Sequence, residues 1–286
     1  MQVTDLQYAS EVHFGGTVVN NRQRQRFVGK YGPWVVVTGA SSGIGRAFAT
    51  ELAALGLNVF LVARNKNQLD QLASSLQGQG VQTEVFAADL GQEDELQAFH
   101  AAAGKLDVGL LVASAGFGTS GPFSDNDRDL ELSMIDVNCR ALAASTHYFS
   151  QVLKNRDGGG GIILLSSIVA FQGNANSANY SATKAYVQSL AEGLHAELKP
   201  FEVDVLAVAP GPTDSGFASR AKMQMGATLT PETVAQKSLL ALGRRATVLP
   251  GFLSKLLKYV MFGMPRWCRT MIMSKVMNGM AKPKTN

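Results

Sequence analysis

Trp34-Val35-Val36-Val37-Thr38-Gly39-Ala40-Ser41-Ser42-Gly43-Ile44-Gly45 is the stretch that decides the fold. A short apolar, β-rich run leads into three glycines. Arg46 to Leu55 follow, with apolar positions recurring at helical spacing. The glycines therefore lie in a strand-to-helix turn. Glycine permits a tight turn and lets a ligand approach the backbone closely. The start of the helix offers unpaired N–H groups and the positive end of its dipole to a pyrophosphate. A glycine cluster also marks ordinary loops. The strand before it and the helix after it favour nucleotide binding, through Gly39, Ser41, Ser42, Gly43, Ile44 and Gly45.

Outward from this turn, strand-like and helix-like segments alternate. Strands are expected at Trp34–Thr38, Asn58–Ala63, Thr83–Ala88, Val108–Ala113, Gly161–Ser166, Val203–Ala209 and Thr247–Leu249. Helices are expected at Ile44–Leu55, Gln68–Gln77, Glu93–Ala103, Leu130–Leu153, Tyr180–Leu198 and Pro231–Leu242. Continuous apolar strands imply a sheet covered on both faces. The alternation implies an α/β, doubly wound parallel sheet (a Rossmann fold) of about seven strands with helices on both faces. In such folds ligands lie beyond the carboxyl ends of the strands. Gly39, Asp89, Ser114, Ser167 and Pro210 each follow an expected strand end.

The chain has 286 residues, 46% of them hydrophobic and 17% charged, which fits a globular protein with a sizeable core and excludes a disordered one. Cys139 and Cys268 form no disulfide framework, and the four histidines share no metal-ligand spacing, so no metal is expected. The opening residues lack a basic start followed by an apolar core, so a reduced, cytoplasmic setting is the expectation. Basic residues are mixed with bulky apolar ones and no recognition motif appears, so no nucleic-acid partner is expected.

Tyr180 and Lys184 lie four apart in Asn179-Tyr180-Ser181-Ala182-Thr183-Lys184. On a helix they share one face. A nearby ammonium favours the phenolate and lowers a tyrosine pKa from about 10, and such a tyrosine can exchange a proton with a carbonyl or alcohol oxygen. Alone, the spacing is common in helices. Together with the Gly-x-x-x-Gly-x-Gly turn 142 residues upstream, it resembles the short-chain dehydrogenase/reductase family, in its small single-domain branch, from about Trp34 to Pro250.

That resemblance implies the further site residues. Ser167, thirteen residues before Tyr180, matches the family serine, with neighbouring Ser166 its rival. Asn138 matches the asparagine that supports a proton-relay water near the lysine. Asp89-Leu90 falls where an aspartate meets the adenine edge, with a helix N-cap as the competing role. The family's Asn-Asn-Ala-Gly is here Ala113-Ser114-Ala115-Gly116, which replaces the expected asparagine by Ser114. Pro210, Gly211 and Thr213 fall near the nicotinamide carboxamide. The second strand ends in Ala63-Arg64-Asn65 with no carboxylate, so Arg64 is expected to pair with a 2′-phosphate, selecting NADP(H) over NAD.

The implied reaction is carbonyl reduction or its reverse on a small, hydrophobic molecule. Tyr180 is the acid/base, Ser167 polarises the carbonyl, and Lys184 lowers the tyrosine pKa and binds ribose. A ketoacyl, steroid-like or xenobiotic carbonyl would suit, in a homo-dimer or homo-tetramer. The lead-in Lys30-Tyr31-Gly32-Pro33-Trp34 looks similar to that of β-ketoacyl-CoA and 17β-hydroxysteroid reductases. The alternative is a catalytically idle NADP-binding redox sensor or scaffold. Intact Asn138, Ser167, Tyr180 and Lys184 favour the enzyme.

Residues 1–33 read as an N-terminal extension, 34–250 as the catalytic domain and 251–286 as a C-terminal extension. Residues 244–286 carry nine Lys/Arg and no Asp/Glu, so with a net charge of +4 the rest of the chain carries −5. Six of the ten methionines lie in this tail, as do Phe252, Leu253, Phe262 and Trp267. Three expectations stay open: peripheral contact with an anionic membrane, a cover over the substrate cleft, or an oligomer interface. Its apolar runs are too short to span a bilayer. The loop 212–230 is expected to close over substrate.

Overall fold

The computed structural model describes residues 12–14, 17–19, 21–216, 228–251, 255, 260 and 263–280. Residues 217–227 of the expected substrate loop lie outside the described residues. So do 252–254, 256–259, 261, 262 and 281–286 of the tail, including Phe252, Leu253 and Phe262.

A short antiparallel hairpin, β1 (Val12–Phe14) and β2 (Thr17–Val19), precedes α1 (Asn21–Tyr31). The repeating unit then begins: β3 (Trp34–Thr38), α2 (Gly43–Ala54), β4 (Asn58–Ala63), α3 (Lys66–Gln77), β5 (Thr83–Ala87), α4 (Glu93–Ala103) and β6 (Val108–Ala113). It continues through α5 (Arg128–Ile135), α6 (Leu142–Lys154), β7 (Gly160–Leu165), α7 (Ala178–Leu198), β8 (Val203–Val208), α8 (Pro231–Ala241) and β9 (Thr247–Val248). A last helix, α9, spans Arg266–Met280.

The seven expected strands form one parallel sheet in the order β5-β4-β3-β6-β7-β8-β9. Alternate side chains of each strand point to opposite faces. Val35 and Val37 join Phe48 and Leu52 of α2, Leu69 and Leu72 of α3, and Val234 and Leu239 of α8. Val36 joins the other layer, with Phe99 of α4, Phe149 of α6 and Val187 of α7. Chain order reverses between β3 and β6, so the connections leaving these two strands part and open a crevice at their carboxyl ends.

Two features depart from the sequence-based expectation. The helix expected at Leu130–Leu153 is interrupted by a π-helical segment, Asp136–Ala141, between α5 and α6. A π segment inserts one residue per turn and often marks a functional position, and Asn138 sits inside it. The second departure is α1, which lies in the stretch read as lying outside the domain. Its Tyr31 is buried in the core beneath the sheet and donates a hydrogen bond to Asp204 at 2.6 Å. Burial, and then the Asp204 bond, pushes the Tyr31 phenol above its ordinary pKa. Gly161 makes room for this ring, because a Cβ there would stand 2.9 Å from it. Gly160 and Gly161 are strand residues, and the turn before them is confined to Gly158 and Gly159, both at positive φ.

Candidate active site

A cleft of about 500 Å³ opens at the carboxyl ends of the strands. Gly39, Ser41, Ser42, Gly43, Ile44 and Gly45 form one end of it. Gly39 has φ +67°, and a Cβ there would press on the Ala115 backbone at 2.9 Å. Ser42 stands at the N-cap of α2 in extended conformation, with its hydroxyl not used as a cap. The first N–H groups of α2 therefore remain for an anion. Thr38, not singled out from sequence, welds the two sides of the crevice. Its hydroxyl accepts the N–H groups of Ser114 and Ala115, each at 3.1 Å. The Ser114 N–H is thereby committed to the scaffold.

Arg64 lines the cleft beyond β4, exposed, with no hydrogen bond or ion pair among the described residues. Asp89 and Leu90 line it beyond β5. Asp89 does not cap α4, whose N-cap is Gln92. Its carboxylate instead accepts the Gly91 N–H at 3.0 Å, while its own N–H donates to Glu95 at 2.7 Å. Ser114, Ala115 and Gly116 line the cleft after β6, and Pro210, Gly211 and Thr213 after β8. The buried Thr213 hydroxyl donates to the Gly211 carbonyl at 3.0 Å. Thr213 also bridges to Leu229, which ties the two ends of the 212–230 loop together.

Ser167, Tyr180 and Lys184 converge on the same cleft. The Ser167 hydroxyl stands close enough to the Tyr180 phenol to act on its titration. Ser166 also borders the cleft, but its hydroxyl donates to the Lys184 carbonyl at 3.1 Å, which leaves Ser167 as the serine facing the phenol. The Lys184 ammonium is buried, lies 5.8 Å from the centre of the Tyr180 ring, and donates to the Leu165 carbonyl at 2.7 Å. Here the expectation that Lys184 draws the phenol toward neutrality is corrected. Burial pushes Tyr180 up to about 12, with the Ser167 hydroxyl acting in the opposite sense. Burial likewise pulls Lys184 down to about 8. Desolvation penalises the charged form of each group, the phenolate and the ammonium alike.

Asn138 is fully buried and stands behind the cleft wall. Its amide oxygen accepts the Phe117 N–H at 3.1 Å. Its amide nitrogen donates to the Phe117 carbonyl at 2.8 Å and to the Thr183 hydroxyl at 3.1 Å. The side chain thus clamps the turn after β6 to α7, one residue from Lys184. Each end of its amide thus has a protein partner.

Sequence reasoning missed Glu131. This residue of α5 is 4% exposed, yet its carboxylate accepts hydrogen bonds from Thr119 at 2.6 Å, Asn126 at 2.7 Å and Asn179 at 2.7 Å. It joins the 117–126 loop to the residue preceding Tyr180. The sequence signal was slight, an acidic side chain between Leu130 and Leu132. Glu131→Gln would set an amide N–H₂ against a donor, leaving buried groups unpaired. A loss of about 2 kcal/mol is expected, read as a lowered melting temperature. An unchanged melting temperature would refute the hub. Met273 of α9, buried and lining the cleft, was missed as well.

A doubly wound sheet with an anion-ready helix start, and with a serine, a tyrosine and a lysine in the same cleft, defines a nucleotide-binding α/β protein. The profile described as "short chain dehydrogenase" matches residues 33–226, and the chain belongs to that family. It is 35% identical over 186 residues to a very-long-chain 3-oxoacyl-CoA reductase of Podospora anserina, covering 63% of this chain and 54% of that protein. The match thus spans about half the length of that relative. It is 31% identical over 231 residues to a 7beta-hydroxysteroid dehydrogenase of Clostridium sardiniense, covering 79% of this chain and 88% of that protein. A structure from a study of 7beta-hydroxysteroid dehydrogenase stereoselectivity superposes with TM-score 0.80 at 26% identity, covering 88% of this chain and 99% of that one. A short-chain dehydrogenase from Sphingobium yanoikuyae in complex with NADPH superposes with TM-score 0.70 at 30% identity, covering 82% and 97%.

Proposed function

We propose that this chain is an NADP(H)-dependent oxidoreductase interconverting a carbonyl and an alcohol on a small apolar substrate. The observation that carries this reading is the convergence of Ser167, Tyr180 and Lys184 on the cleft shared with the uncapped start of α2. The NADPH complex of the Sphingobium yanoikuyae relative supports the cofactor, and so does the Arg64 guanidinium, which has no hydrogen bond or ion pair among the described residues. In this reading residues 34–250 are the catalytic unit, flanked by the extensions 1–33 and 251–286.

The glycine turn, with Ser41 and Ser42, would hold the pyrophosphate and Arg64 the 2′-phosphate. Asp89 and Leu90 would border the adenine, Ser114 to Gly116 would leave room for the ribose, and Pro210, Gly211 and Thr213 would meet the carboxamide. When bound, NADPH supplies a hydride, with its electron pair, to the carbonyl carbon. Ser167 donates a hydrogen bond to the carbonyl oxygen. Tyr180 gives that oxygen its proton as the C=O π bond opens, which completes the alcohol and leaves a phenolate. Lys184 would hold the nicotinamide ribose and stabilise the phenolate until a solvent proton restores it. Asn138 keeps Phe117 and α7 in register. In the reverse direction the phenolate takes the alcohol proton. Phe117, Ile168, Val169 and Met273 give the substrate side its apolar character.

The pH dependence has a definite sign. Tyr180, held up to about 12, keeps its proton through the physiological range and is ready to act as an acid. Lys184, brought down to about 8, loses its charge above that pH and with it the means to stabilise a phenolate. Reduction should therefore be flat below about pH 8 and fall above it, while oxidation, which needs the phenolate, should rise with pH. Turnover profiles in both directions check this, and a reduction rate climbing through pH 8 would contradict it. The reading as a whole is tested by incubating NADPH with ketosteroids, 3-oxoacyl thioesters and bulky ketones and following loss of the reduced nicotinamide. Tight NADPH binding without turnover of any of them would favour an idle sensor or scaffold.

A further inference from the structure

Helix α9 has two faces with different tasks. One is turned inward. Met273 is 3% exposed and lines the cleft, and the Ser274 hydroxyl accepts the Ala175 N–H at 3.0 Å. That bond anchors α9 to the segment that leads into Tyr180. The outward face carries Trp267, Met271 and Lys275 at i, i+4 and i+8, which form one row. Trp267 is 68% exposed and Met271 49%, and Arg266 beside the row is exposed too. A tryptophan and a methionine left in water on the outside of a helix that already has a packing face call for a partner.

We propose that α9 docks on an anionic membrane surface through Trp267, Met271 and Lys275, with the cleft immediately behind it. Charge selects this occupant over a second copy of the chain. From residue 244 to 286 there are nine Lys/Arg and no Asp/Glu. A two-fold interface would set this basic segment against its own copy, whereas an anionic leaflet attracts each cation close to its surface. Tryptophan is also the side chain that settles at the headgroup boundary, with apolar neighbours below it and basic ones snorkelling to the phosphates. Among the described residues no helix is long and apolar enough to cross a membrane, so contact through this row lies along the surface. Docking stands apart from the redox reading. Its consequence for substrate entry rests on that reading, because Met273 is one helix width from the docked row.

The test uses the full chain in flotation with phosphatidylglycerol–phosphatidylcholine vesicles and with pure phosphatidylcholine vesicles, at low and at high salt. The expected result is flotation with the anionic vesicles at low salt, weakened by high salt. The double variant W267S/M271S should lower vesicle partitioning by about tenfold or more, and Lys275→Glu should lower it by a smaller factor. Both variants should turn over a water-soluble ketone like the parent, because none of the three residues lines the cleft. A parent protein that floats with the anionic vesicles but turns over no carbonyl compound would fall on the redox reading instead. Absence of flotation at low salt, or flotation unaffected by W267S/M271S, overturns the proposal. A dimer in light scattering that W267S/M271S dissociates, without vesicle binding, would assign the row to a second copy.

Discussion

Tyr180→Phe should lower turnover in carbonyl reduction by about 10³-fold, the scale of losing a positioned general acid. The ring stays in place and only the hydroxyl is removed, together with its interaction with Ser167. The fold should therefore be nearly intact, since one such interaction contributes about 1 kcal/mol. Affinity for NADPH should stay within about a factor of two, because the lost group acts on the transition state rather than on cofactor binding. The measurements are kcat on a substrate found in the carbonyl panel and a fluorescence titration of NADPH. Near-normal turnover by the variant would remove Tyr180 from the mechanism. A matched loss of NADPH affinity would point to a disturbed site rather than a missing acid.

Arg64→Asp should reverse the cofactor preference. The parent guanidinium can give a 2′-phosphate two forked, charge-assisted bonds. The variant offers a carboxylate that repels the phosphate and accepts a ribose hydroxyl. With each charged bond contributing about 1.5–3 kcal/mol, the ratio of NADP to NAD affinity should change by at least about 10²-fold. Arg64 is exposed and makes no hydrogen bond or ion pair among the described residues, so the substitution should leave stability unchanged. Dissociation constants for both oxidised cofactors decide the matter. Equal weakening for NADP and NAD would sink the assignment.

The parts of the site that were legible in sequence are those built by neighbours along the chain. The glycine turn needs only a strand, three glycines and a helix start, all within Trp34–Leu55. The continuous apolar strands announced a sheet covered on both sides, and seven of them pair in parallel. The interruption at Asp136–Ala141 was not legible, because the sequence there continues a helical pattern and the π turn is seen only in the folded chain. Nor was α1. Asn21 to Arg26 is wholly polar, with three arginines, and Tyr31 enters the core where Gly161, 130 residues later, leaves space for its ring.

By itself, the sequence determined the doubly wound sheet, the family, and the residues that border the cleft, because period, glycine spacing and strand ends are local properties. Tertiary structure alone decided what those residues do to one another. It separated Ser167 from Ser166, turned Asn138 into a clamp on Phe117, recruited Glu131 to the approach to Tyr180, and brought Met273 to the cleft from 93 residues beyond it. It also reversed the expected titration of Tyr180. The spacing set Lys184 one turn away. Burial, which no spacing encodes, is what raises the phenol and lowers the ammonium.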